Sequence, residues 1–242
     1  MSTLFHAFRR VRAPAILLPL VLFLAGCPTR VKQPSAPPTP EPVESAPKGE
    51  GRPYNIDTAA SLLTIQVYRG GTLARVGHNH VIASHDLTGQ VLVNEDPARS
   101  SFQVQFPVAS LTVDEQALRD QAGPDFPPGV PDSAKEGTRK NLLGEALLDG
   151  EHYPTITLVS GPLENTGNGT LNAQVQITVR DQIRTAPVAI HYEIKDGRLL
   201  ATGELPLKQS DVGLKPFSVM MGALEVKDEM KVRFSITARP AP

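Results

Sequence analysis

The chain has 242 residues, 40% of them hydrophobic and 20% charged, with a net charge of -1, 5% aromatics and no tryptophan. That length and apolar fraction suffice for one domain with a buried core. The near-neutral charge offers no basic stripe for a nucleic-acid backbone, so nucleic acid is excluded as an expected partner. Cys27 is the single cysteine, so neither an internal disulfide nor a thiolate zinc site can form.

The chain begins with Arg9, Arg10 and Arg12, followed by an apolar stretch from Ala13 to Ala25 that is too short to remain as a membrane span. It closes on Leu24-Ala25-Gly26-Cys27, a lipobox, in which small residues admit the signal peptidase and the thiol accepts a diacylglyceryl group. Residues 1–26 are therefore expected to be a lipoprotein signal peptide and Cys27 the lipidation site, anchoring the protein in a bacterial cell envelope. Pro28, where an Asp would favour inner-membrane retention, points to the outer membrane, facing the periplasm. Residues 27–53 are crowded with Pro, Ser, Thr and Glu and lack an apolar run able to offset ordering entropy. They are expected to be a disordered, polyproline-biased tether carrying a folded domain at 54–240.

Within that domain strict apolar alternation dominates. Phe102, Val104 and Phe106 begin it. A short helix is expected after Thr112, then an exposed irregular loop over Gly123-Pro124-Asp125-Phe126-Pro127-Pro128-Gly129. Ser133-Ala134-Lys135-Glu136 has capping-box spacing and predicts a helix running toward Leu147, stopped by Gly150. Next, Leu171, Ala173, Val175, Ile177 and Val179 alternate with polar residues, and Ala186, Val188, Ile190, Tyr192 and Ile194 repeat the pattern after turn chemistry at Asp181-Gln182. Asp196-Gly197 predicts a tight turn into Leu199, Ala201, Gly203, Leu205 and Leu207; Met230, Val232, Phe234 and Ile236 form the last run. Such a meander must pack two sheets or close, and closure removes exposed edges. The expected fold is thus all-β, an antiparallel closed barrel with one or two short helices. About eight strands leave an interior that side chains can fill or that can hold one small ligand.

Few residues carry a signal for chemistry. His78 and His80 share one face of a strand, a spacing that suits two ligands of one metal ion, but His85 has the wrong parity to be a third. They are weak metal candidates, and no metal or other cofactor is expected. Ser84-His85-Asp86 has the residue types of a hydrolase triad, yet neighbours on an extended chain point to opposite faces. No nucleophile elbow, phosphate loop or dinucleotide fingerprint occurs in a suitable context, so the chain is read as non-enzymatic. Gly70-Gly71 and Asn168-Gly169-Thr170 are read as turn or bulge chemistry.

Several segments resemble the YceI family in order and spacing. Tyr54-Asn55-Ile56-Asp57 is similar to its first strand, and Ala109-Ser110-Leu111-Thr112-Val113-Asp114 to the approach to its helix. The most specific segment is Leu147-Leu148-Asp149-Gly150-Glu151-His152-Tyr153-Pro154-Thr155-Ile156-Thr157. Ile177-Thr178-Val179-Arg180-Asp181-Gln182, Ser210-Asp211-Val212-Gly213-Leu214 and Val226-Lys227-Asp228-Glu229-Met230-Lys231-Val232 resemble its later strands. The resemblance implies a periplasmic lipocalin-like barrel that carries a polyisoprenoid lipid inside and catalyses nothing. The inward residues Phe102, Val104, Phe106, Val175, Ile177, Ile190, Tyr192, Leu205, Phe234 and Ile236 are then the expected ligand contacts. The chain departs from the family pattern at Arg69-Gly70-Gly71, at Gly77-His78-Asn79-His80 and at the Pro-rich stretch near Phe126. Two other readings remain at this stage: a metal-binding envelope protein using His78 and His80, and an interaction module with a solid barrel that binds a partner through the loop near Phe126.

Overall fold

The computed structural model describes residues 49–242. The expected signal peptide, Cys27 and the tether as far as residue 48 lie outside the described residues. The first strand, β1 (Arg52–Ile56), starts two residues inside the stretch read as tether, because Arg52 and Pro53 already pair with Val93 and Leu92.

The remaining strands are β2 (Leu62–Gly70), β3 (His80–Ser84), β4 (Thr88–Val93), β5 (Ser101–Pro107), β6 (Thr112–Val113), β7 (Thr155–Gly167), β8 (Thr170–Val179), β9 (Gln182–Lys195), β10 (Arg198–Lys208), β11 (Ser218–Val219) and β12 (Leu224–Pro240). All pairings are antiparallel. Following them from β1 through β4, β5, β7, β8, β9 and β10 to β12, and back to β1, closes an eight-stranded barrel. β1 and β2 lie end to end along the same edge of β12. β3 with β4, and β5 with β6, continue this arrangement on successive partners. Three barrel walls are therefore bent strands, broken at Asp57–Ser61, His85–Leu87 and Val108–Leu111. The breaks place Leu87, Val108 and Leu111 in full burial.

The hairpin turns follow from residues that tolerate positive φ. Asn168-Gly169 (φ 51 and 70°) joins β7 to β8, and Asp196-Gly197 (φ 50 and 73°) joins β9 to β10, matching the type I′ turns that suit twisted strands. The β8–β9 turn falls on Arg180-Asp181, with Arg180 at φ 57°, and Gln182 already pairs with Val179; the turn lies one residue earlier than expected. Inward residues of β8 alternate strictly with exposed ones, Leu171, Ala173, Val175, Ile177 and Val179 all being buried, as a half-buried strand requires.

Two helices cover the gap left where β7 ends beside β5 and does not reach β6. α1 spans Gln116–Ala122 and α2 spans Asp132–Leu143, with α2 packed against β6. Two details differ from expectation. The capping box does not form: α2 begins before Ser133, with Pro131 at the cap position and no capping side chain. The Pro131 carbonyl instead accepts the backbone N–H groups of Ala134 and Lys135 at 2.9 and 3.1 Å. The helix also stops at Leu143, because Gly144 closes on Asn141 and the chain then turns so that Leu147 and Leu148 enter the core. The loop 123–129 is irregular as expected, but it is not exposed throughout. Phe126 is buried at 3% exposure, edge-on to Tyr68 at 5.6 Å and under the Arg119 guanidinium at 5.9 Å.

β9 and β10 stay paired only from the turn to His191 and Thr202. Beyond that point the Ser210–Val212 turn packs against β9, and Val212 is buried.

Candidate functional site

The barrel encloses a cavity of about 910 Å³ that runs from the rim at Arg52, Val93 and Ile194 to the opposite rim at Gly77, Val219 and Leu224. Its size lies toward the upper end of the roughly 300–1,000 Å³ typical of ligand pockets. The walls are overwhelmingly aliphatic. All ten residues expected to face the interior line it: Phe102, Val104, Phe106, Val175, Ile177, Ile190, Tyr192, Leu205, Phe234 and Ile236. Sequence reasoning missed the first two walls, where Leu63, Ile65, Val67 and Ile82 also line the cavity, and the contribution of α2 through Thr138, Asn141 and Leu142. The Leu63-Ile65-Val67 alternation was available as a signal; α2 could not be placed without the topology.

On the β10–β12 wall a glycine makes room for an aromatic side chain. Gly203 sits opposite Phe234, and a Cβ on Gly203 would fall 2.5 Å from the Phe234 ring and 2.7 Å from the Ala189 carbonyl oxygen. The missing side chain lets the ring lie over the strand. Ala173, Ala186 and Ala201 similarly place small side chains on inward positions of their strands.

One side of the cavity is polar, and its chemistry starts with Asp114, which lies in the left-handed region at φ 56° and is 1% exposed. Its Oδ1 accepts the Val81 backbone N–H at 2.9 Å and the Arg119 guanidinium, itself 1% exposed. Its Oδ2 lies 2.6 Å from His80 Nδ1. Burial pushes the Asp114 carboxyl up, but the donors His80, Val81 and Arg119 together outweigh it and hold the group below the usual carboxylate range. An ionised carboxylate only accepts, so His80 carries a proton on Nδ1 and donates it. His80 Nε2 then faces the cavity beside Thr138 Oγ1 at 3.3 Å. Arg119 further donates to the Asn79 carbonyl at 2.8 Å and the Pro127 carbonyl at 2.7 Å. These contacts fasten the loop that carries Phe126.

His78 also lines the cavity; burial, followed by the nearby His80 and Arg119, lowers its pKa from the ordinary 6.5. The two imidazoles stand 6.1 Å apart between centroids, and Asp114 holds one nitrogen of His80. Among the described residues no group of three or more His, Cys, Asp or Glu side chains is placed to hold a metal ion. Ser84, His85 and Asp86 do not assemble: Ser84 is fully buried, whereas the half-exposed His85 pairs with Glu115 at 2.9 Å.

Comparison with known proteins agrees with this architecture. No curated protein is similar enough in sequence to count as a relative. Among solved structures, BcnA of Burkholderia cenocepacia superposes with a TM-score of 0.56 at 19% identity, covering 75% of this chain and 98% of that one. A polyisoprenoid binding domain from Saccharophagus degradans, implicated in plant cell wall breakdown, superposes with a TM-score of 0.53 at 11% identity, covering 78% of this chain and 98% of its own. At these identities the likeness is one of fold. The sequence model of the YceI-like domain matches residues 54–238, which takes in every strand of the barrel; the chain belongs to the YceI-like family.

Proposed function

We propose that the protein is a non-catalytic carrier of an apolar lipid of the isoprenoid class, held in the bacterial envelope by lipidation of Cys27 and facing the periplasm. The observation that carries the reading is the aliphatic cavity of about 910 Å³ through the barrel. Such an interior suits an occupant, and aliphatic walls suit hydrocarbon. Each buried methylene contributes about 0.8 kcal/mol, so about ten tail carbons supply roughly 8 kcal/mol before the costs of association. That gross gain is comparable to micromolar affinity.

The polyisoprenoid binding of the Saccharophagus degradans domain supports the lipid class, and the ten lining residues named above are its proposed contacts. The lipobox and the basic, apolar leader support the anchor, and Pro28 favours the outer membrane. An unplugged interior argues against a solid interaction module.

Organic extraction of protein purified from its native envelope, followed by mass spectrometry, should release a prenyl lipid in near-stoichiometric amount. Repeated extractions that yield only the bulk membrane lipids would overturn the reading.

A further inference from the structure

Polar side chains along the cavity fall mainly at its rims, with Arg52, Asn94 and Glu95 at one end and Arg69 and Glu225 at the other. His80 and Thr138, with Thr138 Oγ1 3.3 Å from His80 Nε2, form a separate pair, and His78 lies beside them with its ring centroid 6.1 Å from that of His80. His80 pairs with Val67 in the ladder, two residues inside Arg69, and its side chain is 12% exposed.

We infer that His80 and Thr138 form a headgroup site that recognises a hydroxyl on the lipid proposed above, and that a hydroxyl-bearing head is preferred there over a phosphorylated one. The inference rests on the carrier reading and adds the chemistry of the head. Asp114 and Arg119 would be satisfied structurally by each other and by the backbone of Val81, Asn79 and Pro127. His80 is the member of this network that reaches the cavity. Asp114 fixes both its tautomer and its ring orientation, so in the neutral ring Nε2 presents a lone pair to the interior. The present partner of Nε2 is the Thr138 hydroxyl, at 3.3 Å a long contact. A ligand hydroxyl can replace it, donating to Nε2 while accepting from the Thr138 hydroxyl. Both halves of a hydroxyl's hydrogen-bonding capacity are then used.

Phosphate fits this site poorly. Recognition of phosphate draws on guanidinium or ammonium groups. The Arg119 guanidinium is buried and engaged by Asp114 and two carbonyls. Arg69, at the rim and exposed, gives one guanidinium nitrogen to the Gly77 carbonyl at 2.6 Å and lies outside the His80–Thr138 pair. Among the described residues no other Lys or Arg lines this side of the cavity.

The test uses delipidated protein and three probes that share one prenyl chain: farnesol, farnesyl diphosphate and the hydrocarbon farnesene, titrated by fluorescence displacement or calorimetry. Farnesol should bind about tenfold more tightly than farnesene, the effect of one net hydrogen bond, and more tightly than the diphosphate. His80→Leu should remove the farnesol preference while leaving farnesene binding within about twofold. Thr138→Val, which leaves the Asp114 network intact, should reduce the preference and serves if His80→Leu fails to fold. Equal binding of farnesol and farnesene, a preference that survives in the variant tested, or tighter binding of the diphosphate would each overturn the headgroup site and leave the carrier reading standing. Binding of none of the three would overturn both.

Discussion

Val175→Phe separates an open interior from a close-packed one by the sign of a stability change. Val175 is 4% exposed, lines the cavity, and stands between Ser160 on β7 and Ala186 on β9, both small. The substitution adds four carbons. In a close-packed core such overpacking costs about 1–3 kcal/mol. In an aliphatic void the same atoms pass into apolar surroundings at about 0.8 kcal/mol each, an upper bound of roughly 3 kcal/mol of stabilisation. Urea unfolding of the delipidated domain should therefore show Val175→Phe equal to or more stable than the parent, with an unchanged dependence on denaturant. Its capacity for prenyl lipid should fall, because the ring occupies space the tail needs. A variant destabilised by 1 kcal/mol or more that still takes up lipid normally would refute the reasoning.

Other consequences follow from single residues. Gly203→Ala places its methyl against the Phe234 ring and the Ala189 carbonyl; chemical denaturation should register a loss of about 1–3 kcal/mol. Asp114→Asn leaves Arg119 buried without its counter-ion and should lower stability by about 3–5 kcal/mol. In the parent the stabilisation from Asp114 is complete above the unfolded carboxyl pKa and disappears as pH falls through the lowered folded value, so acid-unfolding curves of parent and variant should converge at low pH. His152 accepts the opposite sign: hydrogen bonding to Asp149 raises its pKa above 6.5, so its contribution is present below the unfolded value and lost as pH rises through the folded one. An NMR titration should place His152 above 6.5, and Asp149→Asn should bring it down. Metabolic labelling with a fatty acid should mark the full chain and be abolished by Cys27→Ser.

The second half of the barrel was legible because β8, β9, β10 and β12 are long, regular and wet on one side, so a period of two is written directly into residues such as Leu171 through Val179. The first half was harder. β1 through β6 are short pieces of three bent walls, and buried outward residues such as Gln66 and Gln103, both under 5% exposed, blur the alternation there. Ser133 shows the limit of a spacing rule: the capping pattern exists, but the helix already begins at Asp132, one residue before it. Phe126 shows another. Its flanking Pro and Gly residues do describe an irregular loop, yet it is buried against Arg119 on the neighbouring helix and Tyr68, a partner distant in sequence. The polar group was half visible, since His78 and His80 drew notice as a pair. Asp114 and Thr138, which give His80 its orientation and its neighbour in the cavity, come from other elements and carry no local signature.

Native mass spectrometry of the intact protein, isolated gently from its own envelope, bears most directly on whether the barrel shelters a hydrocarbon guest. The parent should appear as a one-to-one adduct whose extra mass matches a prenyl lipid, and the Val175→Phe chain should appear largely without it. A parent that flies bare under conditions that preserve noncovalent complexes, and that takes up no prenyl lipid when incubated with it, would contradict the account.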